Sequence, residues 1–146
     1  GLVRLGKAWR CNMKLTENFR LDEFKCNDGS VVPEEYMDNV ILLADQLQKI
    51  REHFDKPIVV ISGYRSPDYN KKIGGVKRST HMKAMAADIV ISGVDSVEVW
   101  KVVKQMIADG VIHKGGVGLY ETFVHYDVRG FNARWYGTGM KKYKNT

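Results

Sequence analysis

Long apolar runs are missing from this chain, and nowhere do its apolar residues approach the ~20 consecutive positions that a membrane-spanning helix requires. Gly1 to Arg10 carries charges and has neither a continuous apolar stretch nor a small-residue cleavage site, so nothing there reads as a secretory leader. Cysteine is scarce. Cys11 and Cys26 are too far apart for a CxxC redox or metal motif, which leaves one disulfide or two separate thiols as alternatives and gives neither residue a catalytic role. Internal repeats, low-complexity segments and linkers are absent as well, so 146 residues suit one domain with one core. The glycines around 115–118 lack the GxGxxG spacing, and no helix follows them, which argues against a phosphate cradle.

Acidic residues are in deficit: 23 Lys and Arg against 17 Asp and Glu give a formal net charge of +6. Such a surface attracts anions, whether nucleic acid, an acidic membrane or the phosphate polymers of a bacterial wall. The basic residues are scattered apart from Lys71-Lys72, Lys77-Arg78 and Lys141-Lys142-Tyr143-Lys144, and no recognition-helix pattern accompanies them. Nucleic acid is therefore not expected as a partner, and much of the charge reads as a solvated face.

What is present is an ordinary globular composition, 44% hydrophobic and 27% charged, with seven Tyr, five Phe and three Trp to build a core. Residues 1–15 show no period and read as an arm, 16–140 as the folded domain and 141–146 as a basic tail. Pro33, followed by Glu34 and Glu35, opens a helix over about 34–54. Met37, Val40, Ile41, Ala44, Leu47, Ile50 and Phe54 recur along it at three- and four-residue steps, and Pro57 stops it. Ile58-Val59-Val60-Ile61 is a β-branched run, expected as a strand buried on both faces. It empties into Ser62-Gly63-Tyr64-Arg65-Ser66-Pro67, a place where functional side chains often sit, so that Arg65 either meets a ligand or bridges loops. A short helix over Pro67–Ile73 ends at Gly74-Gly75. Ala86–Ile91 reads as a second strand, and a helix over about 95–109 buries Trp100, Val103, Met106 and Ile107. Two short strands follow, around Val117–Tyr120 and Phe123–Val128. Gly130–Thr146 is expected to cross the surface and fray.

Two histidines stand apart from the other two. His53, at a helix end, and His113, in a loop, read as surface or hydrogen-bonded histidines, whereas His81 is followed seven residues later by Asp88, where a loop could deliver one ligand and the next strand the other. An acid inside an apolar strand is costly unless it is paired or bound to metal. In the later strand, Phe123, His125 and Asp127 alternate onto one face, which leans a histidine and a carboxylate into one cleft. Two imidazoles and a carboxylate, leaving a fourth position open, suit a catalytic zinc ion.

These stretches together, Ser62-Gly63-Tyr64-Arg65-Ser66, Asn70 with Gly74-Gly75, Ser79-Thr80-His81 through Ala86-Ala87-Asp88-Ile89, and Gly116-Val117-Gly118 with Phe123-Val124-His125-Tyr126-Asp127-Val128, carry a resemblance. In order and spacing the chain resembles the zinc D-alanyl-D-alanine carboxypeptidases and L-alanyl-D-glutamate endopeptidases of bacteria and their phages, a family that shares its core with the hedgehog signalling domain. The resemblance implies an α+β fold in which a small antiparallel sheet carries the zinc site and helices flank it. It implies that His81, Asp88 and His125 bind Zn²⁺, and that Arg65 and Ser79 position substrate, Arg65 by gripping a carboxylate. The implied activity is hydrolysis of peptide bonds in peptidoglycan stem peptides, at a terminal D-alanine or internally, at the bacterial cell wall and by a monomer. The small size, basic charge and lack of a leader-like stretch point toward a phage or prophage lysin.

The match departs from the family at one place. Several branches carry the catalytic acid three residues before the last zinc histidine, where this chain has Thr122. Asp127 is the preferred replacement as general base and Glu121 the other candidate; for Asp127 the competing role is orienting a zinc histidine. Should neither carboxylate serve, the alternative function is a non-catalytic, zinc-containing wall-binding or virion structural domain.

Overall fold

A computed structural model describes residues 13–146. Met13 and Leu15 already pack against the core, and a Cys11–Cys26 bond would involve a residue outside those described. Cys26 itself is buried.

Pro33 precedes a 3₁₀ turn, Glu34–Tyr36, that runs into α1, Met37–Phe54. Val40, Leu43, Ala44, Leu47 and Ile50 form the buried stripe of α1. The helix closes at Asp55, in the left-handed region with φ 50°, two residues before Pro57. In α2, Pro67–Lys72, the Ser66 hydroxyl accepts from the Tyr69 amide and so satisfies one of the free donors of the first turn. In α3, Ser96–Ala108, Val99, Trp100, Val103, Met106 and Ile107 are buried.

Five strands, β1 Ile58–Ser62, β2 Ala86–Ile91, β3 Gly116–Leu119, β4 Val124–Asp127 and β5 Ala133–Tyr136, form one sheet in the order β1-β2-β4-β3-β5. All neighbours are antiparallel except β3 and β5, which run parallel. The fold is thus α+β with a mixed sheet. The parallel strand comes from the segment expected to fray: Ala133–Tyr136 pairs along β3, and Met140 behind it is buried.

A second expectation is corrected at the opposite edge. β1 is not buried on both faces: Ile58 is covered, but Val59 and Ile61 are 53% and 41% exposed. Among the described residues only β2 pairs with it, so it is the edge strand of the sheet. A continuous β-branched run does not by itself distinguish a central strand from an edge strand.

One face of the sheet, with Ala87, Ile89 and Ile91 of β2, Val124 and Tyr126 of β4 and Val117 and Leu119 of β3, joins α1 and α3 in a single apolar core. The register sets the other face. Ser62 pairs with Asp88, Asp88 with His125, His125 with Gly118, and Gly118 with Trp135. A single row of residues therefore crosses all five strands, and because side chains alternate it lies on one side of the sheet.

Candidate metal centre

The row contributes Asp88 and His125, and His81 reaches them from a 3₁₀ turn, Thr80–Lys83, that leads into β2. The Ser79 hydroxyl caps that turn by accepting from the His81 amide at 3.2 Å. Ala84 closes the turn in the left-handed region, φ 56°, and the Arg65 amide donates to the His81 carbonyl at 3.0 Å. His81 is thus fixed by backbone at both ends. One nitrogen or oxygen from each of His81, Asp88 and His125 lies within 4.8 Å of the others, and all three residues are buried.

Hydrogen bonds decide which atoms are free. His81 Nδ1 lies 2.7 Å from the Gly63 carbonyl, which can only accept, so the proton sits on Nδ1 and Nε2 is bare. His125 Nε2 lies 2.7 Å from Asp127 Oδ2 and donates to it, which leaves Nδ1 bare. Both bare nitrogens lie 3.3 Å from Asp88 Oδ1. That oxygen is buried and receives no well-directed hydrogen bond. Three lone-pair atoms facing one another call for a positive charge between them, either a proton or a metal ion.

The electrostatics keep the carboxylates ionised. Burial alone raises the Asp88 carboxyl, but the two imidazoles outweigh it and hold the group well below the usual carboxylate range. Asp127 behaves likewise, burial being overcome by its bonds to His125 and Arg129. Burial lowers His81, leaving it neutral and ready to ligate near pH 7. At His125 burial is overridden by Asp127 and Asp88, and its pKa is raised.

Each expected site residue has a place in this arrangement. Arg65 lines the cleft, but its Nε donates to Ser62 Oγ at 3.1 Å and one terminal nitrogen to Asp88 Oδ2 at 3.2 Å. It neutralises the outer oxygen of Asp88 and leaves Oδ1 facing inward. Ser79 lines the cleft while capping the His81 turn. Neither carboxylate expected to handle protons faces the cleft. Asp127 is fully enclosed: Oδ1 accepts from the Gly116 amide and from Arg129 Nε, and Oδ2 from His125, Arg129 and Thr80. Glu121 is exposed and lines a separate groove beside Ser96. Among the described residues lining the cleft, Asp88 is the sole carboxylate.

Two cleft-lining positions, Trp135 and Arg129, are not marked by any local sequence pattern. Trp135 on β5 tilts over His125 at 4.8 Å between ring centroids, and the Arg129 guanidinium lies 5.2 Å over the same indole. The glycines that failed as a phosphate cradle make room for this layer: a Cβ on Gly118 would run into the Trp135 ring, and one on Gly116 into the Asp127 carboxylate. The spacing of glycines at alternate strand positions, 116 and 118, was the available signal, because one strand face stripped of side chains implies a bulky neighbour above it.

The cleft above this layer encloses about 620 Å³, with Arg78, Thr80, Tyr120 and Phe123 on its walls. Residues 15–127 match the family described as peptidase M15. The peptidoglycan L,D-endopeptidase MepK of Escherichia coli strain K12 is 37% identical over 94 residues, covering 58% of this chain and 48% of the relative. The protein of the same name from Shigella flexneri gives the same figures. This chain spans about half the length of the curated relatives it matches. Because the family match begins before the first helix and runs through the row that holds Asp88 and His125 to Asp127, the chain belongs to the peptidase M15 family.

Proposed function

We propose that this chain is a zinc peptidase that hydrolyses peptide bonds in the stem peptides of peptidoglycan. Peptidases of this family depend on a metal ion. The observation that carries the reading is the unbonded Asp88 Oδ1 between two bare imidazole nitrogens, at the floor of an open cleft. His81 Nε2, His125 Nδ1 and Asp88 Oδ1 would hold the ion. Two nitrogens and one carboxylate oxygen, with the cleft left for a fourth ligand, favour zinc. The activity in the relatives' name, L,D-endopeptidase, favours an internal cut over removal of a terminal D-alanine.

A zinc ion, when bound, supplies Lewis acidity at the scissile carbonyl and lowers the pKa of its water toward ~7. The chain's own residues do the rest. Asp127 keeps the His125 proton on Nε2, so that Nδ1 is the nitrogen left to ligate. Arg129, bonded to both oxygens of Asp127, keeps that carboxylate ionised and immobile. Arg65 performs the same service for Asp88. Trp135 roofs His125 and narrows the access of bulk water to it. We thus assign Asp127 the orienting role instead of the general base. A non-catalytic zinc domain that grips the wall is the second reading, favoured by the scarcity of carboxylates in the cleft.

Mass spectrometry of purified peptidoglycan incubated with the zinc-loaded protein separates the two. We expect soluble peptide fragments that vanish with a chelator and return with added zinc, their masses naming the bond. Protein with stoichiometric zinc that pulls down with the wall and releases no fragment would replace the peptidase with the binding domain.

A further inference from the structure

Tyr120 follows β3 and opens the turn into β4; its amide donates to the Phe123 carbonyl at 3.1 Å. Its ring lies flat on Phe123, 4.4 Å between centroids and 9° between planes. Gly137 also lies against it: a Cβ there would press into the Cδ1–Cε1 edge of the Tyr120 ring at 2.6 Å. The phenol is therefore held by a stacked aromatic ring and by bare backbone at its edge, which leaves it little rotational freedom to lose when a ligand arrives.

The hydroxyl is oriented as well as placed. Trp135 Nε1 lies 3.0 Å from Tyr120 Oη. An indole N–H can only donate, so at this contact the phenol oxygen accepts and its own hydrogen is directed elsewhere. No acceptor for that hydrogen exists among the described residues, and Tyr120 lines the same cleft as His81, Asp88 and His125. The indole that fixes the hydroxyl is also the ring over His125, which puts the phenol one side chain away from a ligand of the proposed metal. Of the other donors that line the cleft, Arg65 has its Nε and one terminal nitrogen turned to Ser62 and Asp88, Arg129 is bonded to both oxygens of Asp127, and the Thr80 hydroxyl donates to Asp127.

We propose that the Tyr120 hydroxyl donates a hydrogen bond to the oxygen of the scissile carbonyl and strengthens that bond as the oxygen becomes an oxyanion. The inference rests on the peptidase reading above. When water adds to the carbonyl carbon, the π-bond electron pair moves to the carbonyl oxygen. When the adduct collapses, the pair returns, the C–N bond breaks, and the amine leaves with a proton from the attacking water. Tyr120 keeps its proton throughout. A fixed donor aimed at developing charge acts on the transition state more than on the bound substrate, and donors of this kind are typically worth about 10²–10³ in kcat. Trp135 is then a positioning residue, because it acts through the phenol.

The test compares wild type with Tyr120→Phe, which keeps the stack on Phe123 and removes only the oxygen. Both proteins are first checked for equal zinc content and equal melting temperature. We expect kcat on a stem-peptide substrate to fall about 100-fold with KM changed by less than about threefold. A stem-peptide analogue whose scissile amide is replaced by a tetrahedral phosphinate should bind Tyr120→Phe at least about tenfold more weakly, while the cleavage product binds both proteins equally. Wild-type turnover with an unchanged kcat and unchanged phosphinate affinity in the variant would overturn the Tyr120 role alone. A wild type that cleaves nothing would overturn the peptidase reading and this inference with it.

Discussion

Asp127 is where two chemical roles for one carboxylate can be told apart. Every one of its close contacts is internal: His125, Arg129, Thr80 and the Gly116 amide. A general base must reach a proton on the substrate side, whereas an orienting carboxylate must reach only the far nitrogen of a ligand. In Asp127→Asn the shape is preserved and the charge that fixes the His125 tautomer is lost. We expect the zinc Kd, measured by competition with a chromophoric chelator, to weaken by about 10–100-fold, with turnover falling in step when zinc is limiting. Unchanged zinc affinity together with lost turnover would return Asp127 to the base role. The pairing of His125 with Asp127 was legible in the sequence because alternate strand residues share a face. The direction of the carboxylate was not, since it depends on Thr80 and the Gly116 amide, which the fold brings to it from distant segments.

At the scale of elements, β3 and β5 carry information that local patterns hide. Gly116 and Gly118 empty one face of β3, and Trp135 from the parallel strand fills the space. Gly118→Ala would force the indole away from His125, and overpacking of this kind costs about 1–3 kcal/mol. The expected result is a lower melting temperature together with a weaker zinc affinity, because the roof over His125 is displaced. An alanine variant that melts and binds zinc like wild type would show that the glycine serves no such fit. The helices and β2 were readable because their periodicity is local: the α1 stripe and the apolar run around Asp88 lie within one segment each. β5 was not, because Ala133–Tyr136 has too few residues to show alternation and its partner lies well upstream in β3. β1 failed for the complementary reason: its β-branched residues were right for a strand, but whether a neighbour covers Val59 and Ile61 is a property of the whole sheet.

The whole molecule divides its labour between the two faces of one sheet, and this separates folding from metal binding. Trp100, Tyr126, Leu43, Leu47 and Ile50 are fully buried on the helix side, away from His81, Asp88 and His125. The apolar core should therefore hold the fold without the ion. The metal adds stability only through its preference for the native arrangement of three ligands. At free zinc about 100 times its Kd this preference is worth about 2.7 kcal/mol. For a domain of this size that corresponds to a rise in melting temperature of roughly 5–10 °C. His81→Ala removes one ligand and should melt near the chelated wild type, with no further response to zinc. Far-ultraviolet circular dichroism of the chelated wild type should match that of the zinc form, because no strand or helix depends on the ion. Loss of secondary structure on chelation would mean that the site holds the sheet together and that the core is insufficient alone. A wild-type melting temperature indifferent to zinc would mean that the three ligands do not bind it, and would remove the metal centre at its root.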